Sequence, residues 1–80
     1  MKIIILGAGR VGGTLAFNLA REDNEVTVID RDERQLHELK DRIDIGIIIG
    51  HASYPEVLAA AGIKDADLLI AVTGVDEINM

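Results

Sequence analysis

The stretch IIILGAGRVGGTLA, Ile3 to Ala16, decides the fold. Ile3 to Leu6 is a strand-length apolar run that stops at Gly7. From Arg10 to about Glu22 the period changes: Val11, Leu15 and Leu19 recur every fourth residue, with Gly12 and Ala16 beside them, which is the stripe of a helix lying on a core. Gly7-x-Gly9-x-x-Gly12 joins the two. Glycine-rich turns are common, so the spacing alone is weak evidence. Between a strand and a helix each glycine acquires a distinct role. Gly7 makes the tight turn, Gly9 lets the backbone approach a pyrophosphate, and Gly12 lets the helix pack close to the strand. The amides of Arg10 and Val11 then point at the phosphates, and the helix dipole favours their charge. The competing reading is a tight strand-to-helix turn that holds no ligand.

Outward from this stretch, strand-length and helix-length runs alternate. Asp23-Asn24 breaks the first helix, and Glu25 to Asp30 (EVTVID) is a second strand. Asp32 to Arg42 is polar except for Leu36 and Leu39, which with Ile43 form one narrow apolar face, so this helix is expected to be exposed on most sides. Ile45 to Ile49 is a third strand, ended by Gly50. Ser53-Tyr-Pro-Glu56 predicts a helix start, with Ser53 and Glu56 exchanging side-chain to backbone hydrogen bonds and Pro55 in the first turn. Val57, Leu58 and Ala61 form its inward face, and Gly62 is placed to end it in a left-handed conformation, with Ile63 packing back. Asp67 to Thr73 (DLLIAVT) is a fourth strand, and GVDEINM reads as the opening of another helix with Asp76 as N-cap.

The order β-α-β-α-β-α-β requires parallel strands with right-handed crossovers. The predicted fold is an α/β Rossmann-like three-layer αβα sandwich over residues 1–80, one dinucleotide-binding domain with strand order 3-2-1-4. The topological switch lies between strands 1 and 4, and ligands bind outside the strands' carboxyl ends there. Those ends are Gly7-Ala8-Gly9, Asp30, Gly50-His51 and Thr73-Gly74.

Composition narrows the function. Eighty residues allow one domain, burying a little over ~60% of the unfolded surface. Half the residues are apolar and almost none aromatic, which suits a parallel sheet of Ile, Leu and Val covered by helices. A formal charge of −6 argues against a nucleic-acid surface and against adsorption to anionic lipid. It leaves room for one nucleotide held by helix amides. The absence of Cys removes disulfides, thiolate metal sites and Cys nucleophiles. No run approaches the ~20 residues that span a bilayer, and no signal peptide is readable, so a cytoplasmic location without membrane insertion is expected. No Gly-Lys-Ser/Thr follows the glycines, which removes a Walker A loop.

Asp30 gives the glycines their strongest support. It ends the second strand 18 residues after Gly12, where the dinucleotide fingerprint places an acid on the adenosine ribose. Such a carboxylate repels a 2′-phosphate and favours NAD over NADP, although Arg31, directly after it, is the kind of residue that binds one. The other role open to Asp30 is N-cap of the second helix. Arg10 reads equally as a phosphate contact or a solvated first-turn residue. His51 has no second His and no Cys near it in the sequence and reads as a loop residue bordering the adenine pocket. His37 reads as solvated, and Asp32, Glu33, Glu38 and Asp41, interleaved with Arg34, Lys40 and Arg42, as a helix face with local ion pairs.

With these residues placed, the chain resembles the N-terminal nucleotide-binding domains of peripheral Trk potassium-uptake proteins, the family that regulates potassium conductance. MKIIILGAGRVGGTLAFNLA, VTVIDRD and GHASYPEVLAAAGIKDADLLIAVTGVDEINM carry the resemblance from end to end, and the AG-DADLLIAVT-DE-NM block separates this family from dehydrogenases better than the glycines do. The resemblance implies a regulatory module, not an enzyme, that binds NAD(H), or ADP, ATP or AMP, and passes the ligand state to a membrane potassium transporter subunit. Carried over by position, Gly7, Ala8, Gly9, Arg10 and Val11 line the pyrophosphate, Asp30 the ribose, and Thr73 and Gly74 the far side of the cleft; Gly12 and Arg31 complete the candidate cofactor-binding residues. Phe17 departs from the family, in which an acidic or polar residue is more typical at this place.

Family domains continue through two more strands and further helices. Strand 4 of this chain is therefore expected to be an edge that recruits another chain, giving a homo-oligomer. Two other readings remain open: the cofactor half of an NAD-dependent dehydrogenase, and an excised or engineered Rossmann fragment that folds and associates without retained function.

Overall fold

The computed structural model describes residues 1–51 and 54–72. Its elements are β1 (Lys2–Leu6), α1 (Arg10–Ala20), β2 (Glu25–Asp30), α2 (Glu33–Arg42), β3 (Gly46–Ile49), α3 (Pro55–Ala60), a 3-10 turn (Ile63–Asp65) and β4 (Leu68–Ala71). The four strands form one parallel sheet in the order β3-β2-β1-β4, as the sequence predicts.

Alternation along the strands builds three layers. Ile3 and Ile5 of β1 and Val26 and Val28 of β2 point to one face, where Ala16, Leu15 and Leu19 of α1 and Leu36 and Leu39 of α2 cover them. Ile4 and Ile29 point to the other face, against Val57, Leu58 and Ala61 of the α3 segment and Ile63 beyond it. Ile3, Ile4, Ile5, Val28, Ile29 and Leu36 are all fully buried, so two-sided burial of β1 explains why it is an unbroken isoleucine run.

Element ends follow local chemistry. Asp23 takes a left-handed φ of 63°, a conformation Asp adopts more readily than most residues, and the Asn24 side chain donates to the Leu19 carbonyl at 2.9 Å. α1 therefore stops at Ala20, two residues before the expected Glu22. Asp32 caps α2 by accepting from the Gln35 amide at 3.2 Å, and Lys40 and Arg42 sit in its last turn, where cations oppose the dipole favourably. Asp30 is thus not the N-cap of this helix. Leu36 is its one buried residue, in keeping with a helix exposed on most sides.

α3 begins at Pro55 with Tyr54 in the N-cap position and no side-chain cap. Ser53 of the expected capping pair lies outside the described residues, as do Asp76 and the final helix start. Gly62 has the left-handed conformation expected of it, with φ 80° and ψ 40°. One core assignment fails: Val11 is 40% exposed. The helix meets the sheet through Gly12 and Ala16, the smallest residues of its stripe, and the close approach they allow turns Val11 outward.

Candidate functional site

The carboxyl ends of β1 and β2 meet at the glycine turn. Gly7 has φ 117°, which a residue with a side chain rarely adopts, and its amide donates to the Ile29 carbonyl at 2.8 Å. The chain then passes through Ala8 and reaches Gly9, the N-cap of α1, in an extended conformation. The first helical bond runs from the Gly13 amide to the Gly9 carbonyl, 2.7 Å. Arg10, Val11 and Gly12 therefore head the helix with their amides before that first bond. Gly9 offers no side-chain cap, and the first turn contains no acidic residue. A helix start of this kind presents free amides and the positive dipole end, which an anion fits, and among the described residues no side chain caps it.

Gly12 makes the geometry tight. A Cβ built there collides with the Gly7 carbonyl oxygen and comes within 3.0 Å of the Val72 side chain. Gly13 differs, since its Cβ would rest 3.5 Å from Leu39 in ordinary contact. The third glycine of the motif, rather than its neighbour, is the one the backbone cannot replace.

Asp30 lies beside this turn, half-buried at the end of β2. One carboxylate oxygen accepts from the Ala8 amide at 2.6 Å, and the other accepts from the Asp32 amide at 2.9 Å. Its backbone carbonyl accepts from Gly50 at 2.9 Å. Each carboxylate oxygen keeps a lone pair for a further donor. The structure thus brings Asp30 to the glycines across 22 residues, but it assigns the Ala8 amide to Asp30 and the Gly7 amide to Ile29. The turn's amides that these two bonds leave are those from Gly9 onward.

Arg10 and Arg31 are exposed at this end. His51 follows β3, its ring 5.5 Å from that of Tyr54. His37 sits on the outer face of α2 at 3.5 Å from Glu33, consistent with its solvated reading. Thr73 and Gly74 lie outside the described residues. A feature the motif did not signal is a groove of about 470 Å³ beside the turn, between α1 and α2, bordered by Arg10, Thr14, Phe17, Glu38, Leu39 and Arg42. Phe17 stands in it half-exposed, with the Arg21 guanidinium 5.5 Å over its ring. Among the described residues no group of three His, Cys, Asp or Glu could hold a metal ion, and no helix is long and apolar enough to cross a membrane.

Comparison with known proteins identifies this architecture. The family model described as the TrkA-N domain matches residues 3–80. The Trk system potassium uptake protein TrkA of Halomonas elongata is 62% identical over all 80 residues, and that of Vibrio alginolyticus 58%. The chain spans 18% of the length of each of these curated relatives. The crystal structure of the TrkA-N domain of the inner membrane protein YbaL from Escherichia coli matches with a TM-score of 0.80 at 28% identity, covering 88% of this chain and 51% of that one. The Shewanella denitrificans Kef CTD in its AMP-bound form matches with a TM-score of 0.73 at 30% identity, covering 96% and 46%. With its glycine turn, its 3-2-1-4 sheet and a match from Ile3 to Met80, the chain belongs to the TrkA-N domain family.

Proposed function

We propose that this chain is a nucleotide-sensing module of a potassium-uptake regulator, binding an adenine dinucleotide or nucleotide without chemistry of its own. The observation that carries the reading is the uncapped start of α1: the amides of Arg10, Val11 and Gly12 open beside Asp30, at the switch between β1 and β4. In this reading Gly9, Arg10 and Val11 hold the pyrophosphate, with the Arg10 side chain as a further phosphate contact. The free lone pairs of Asp30 accept from the ribose hydroxyls, and Arg31 flanks the 2′ position. Thr73 and Gly74, outside the described residues, are assigned to the far side of the cleft by the family resemblance alone. The ligand is NAD(H), or ADP, ATP or AMP, with NAD preferred to NADP because the Asp30 carboxylate opposes a 2′-phosphate. The AMP-bound Kef CTD supports an adenine nucleotide, and the TrkA relatives, named for potassium uptake, support a part in that process; in this reading the regulated partner is a membrane potassium transporter subunit, met at the cytoplasmic face.

Calorimetric titration with NADH, NADPH, ATP, ADP and AMP tests this, repeated on Asp30→Ala and Gly9→Val. Because the contacts concentrate on the adenosine-diphosphate half, the expected preference among adenine nucleotides is shallow. A large preference for NADH over ADP contradicts the reading, and tight binding that survives both substitutions rejects the site.

The reading includes self-association through β4. That strand is an outer one of the four described, and its Leu68 and Leu69 are 43% and 46% exposed. An apolar edge of this kind recruits another chain. Analytical ultracentrifugation that finds only monomer at high protein concentration overturns this part.

A further inference from the structure

We infer that Asp30 is a positioning residue for the phosphate turn, in addition to any contact it makes with a ribose. Its carboxylate spans two separate turns: one oxygen holds the Ala8 amide at 2.6 Å, inside the β1–α1 turn, and the other holds the Asp32 amide at 2.9 Å, inside the β2–α2 turn. The same residue's carbonyl holds Gly50 at the end of β3. One residue therefore ties together the carboxyl ends of three strands.

The turn needs such a tie. Gly7 and Gly9 have no side chains to pack, and the N-cap of α1 has no side-chain bond of its own. Glycine also carries the largest backbone freedom, so with only the Gly7 amide held, by Ile29, the segment samples conformations in which the Arg10 and Val11 amides do not converge. Ala8 is the only non-glycine residue between Gly7 and Gly9, it is buried, and its amide is the one Asp30 takes. A charge-assisted bond from a carboxylate is roughly twice as strong as a neutral one, which suits it to this anchoring. The carboxylate thus sets the turn before any ligand arrives, and the amides that follow are aimed by a bond that forms without one.

The consequence for affinity rests on the nucleotide reading above; the anchoring itself does not, and the two are separated by a ligand without a ribose. Inorganic pyrophosphate and, in parallel, ADP are titrated into the wild-type chain, Asp30→Ala and Asp30→Asn, following the backbone amides of Gly9, Arg10 and Val11 by NMR. Removing a negative charge beside an anion site should by itself strengthen pyrophosphate binding. Loss of the anchor should weaken it. The expected result is about a tenfold loss of affinity in Asp30→Ala, with partial recovery in Asp30→Asn, which matches the alanine variant in charge but keeps one oxygen acceptor for Ala8. Pyrophosphate affinity in Asp30→Ala equal to or above that of the wild type overturns the inference, and a loss confined to ADP assigns Asp30 to the ribose alone. If the wild type binds neither compound, the nucleotide reading fails, and hydrogen exchange of the Ala8 amide in the ligand-free chain decides the anchoring separately. Protection in the wild type that falls at least tenfold in Asp30→Ala and less in Asp30→Asn supports it, and an Ala8 amide that exchanges freely in the wild type, or one equally protected in Asp30→Ala, refutes it.

Discussion

Replacing Gly12 by alanine is the sharpest perturbation of this fold, because the adjacent Gly13→Ala change should act in the opposite direction. At Gly12 the added methyl collides with the Gly7 carbonyl oxygen and crowds its carbon and the Val72 side chain, both at 3.0 Å. The obstacle is backbone, and Gly7 is pinned by its bond to Ile29, so α1 must lift away from β1. Overpacking of this kind costs up to about 3 kcal/mol, offset by about 1 kcal/mol from the better helix propensity of alanine. The net loss is about 2 kcal/mol, to be set against a total stability of roughly 0.1 kcal/mol per residue. At Gly13 the methyl gains an ordinary contact with Leu39 at 3.5 Å. Only the propensity term remains there, a gain of about 0.5–1 kcal/mol. Urea denaturation followed by far-UV circular dichroism reads both. With a slope of about 1 kcal/mol per molar for a chain this small, the midpoint should fall by about 2 M in Gly12→Ala and rise by about 0.5–1 M in Gly13→Ala. Midpoints that move in the same direction, or a Gly12→Ala loss below about 0.5 M, would refute the close-approach argument.

Other substitutions probe the remaining elements. Asp32→Ala removes the cap on the Gln35 amide and should cost about 1 kcal/mol, seen as a fall of several degrees in the thermal midpoint; an unchanged midpoint would mean that solvent replaces the cap without cost. Leu36 is the buried residue through which α2 meets the sheet, and Leu36→Ala should lose about 2–5 kcal/mol, read as a fall of roughly 2–5 M in the urea midpoint; a fall below about 1 M would mean that the α2 contact contributes little. Phe17→Glu should stay within about 0.5 kcal/mol of the parent chain. The change trades an exposed ring beneath Arg21 for a Glu–Arg pair four residues apart on the same helix, and chemical denaturation showing a large loss would mean that Phe17 packs more firmly than its 43% exposure implies.

Much of the architecture was readable from local pattern. The isoleucine run of β1, the Leu36–Leu39–Ile43 face of α2 and the alternation of strand-length with helix-length runs leave few ways to bury these side chains, and right-handed crossovers then select one sheet. Gly62 was readable for a different reason: only glycine enters a left-handed helix end at no steric cost. Where periodicity alone was used it overreached. Val11 belongs to the four-residue rhythm of α1 yet points to solvent, because the contact face of a helix is set by how closely its backbone approaches the sheet, and Gly12 and Ala16 set that approach. Asp30 as a cap failed similarly: Asp32, two residues later, has the geometry to reach the Gln35 amide.

The candidate site divides along the same line. The sequence by itself determined the residue types: glycines spaced for a turn at a helix start, and an acid at the end of the next strand. Those follow from steric rules and from spacing that act within one βαβ unit. Only the tertiary structure decided how the donors are shared. It gives the Ala8 amide to Asp30 and the Gly7 amide to Ile29, and leaves the amides of Arg10 to Gly12 at the open end of the helix. It also makes Gly12 irreplaceable while sparing Gly13. The spacing had pointed to Gly12 as the close-packing glycine, and the collision with Gly7 inside the same turn bears that out. The sharing of donors with Asp30 and Ile29 depends instead on segments far apart in the chain, where a hydrogen bond is settled by a few tenths of an ångström that no spacing of residue types encodes.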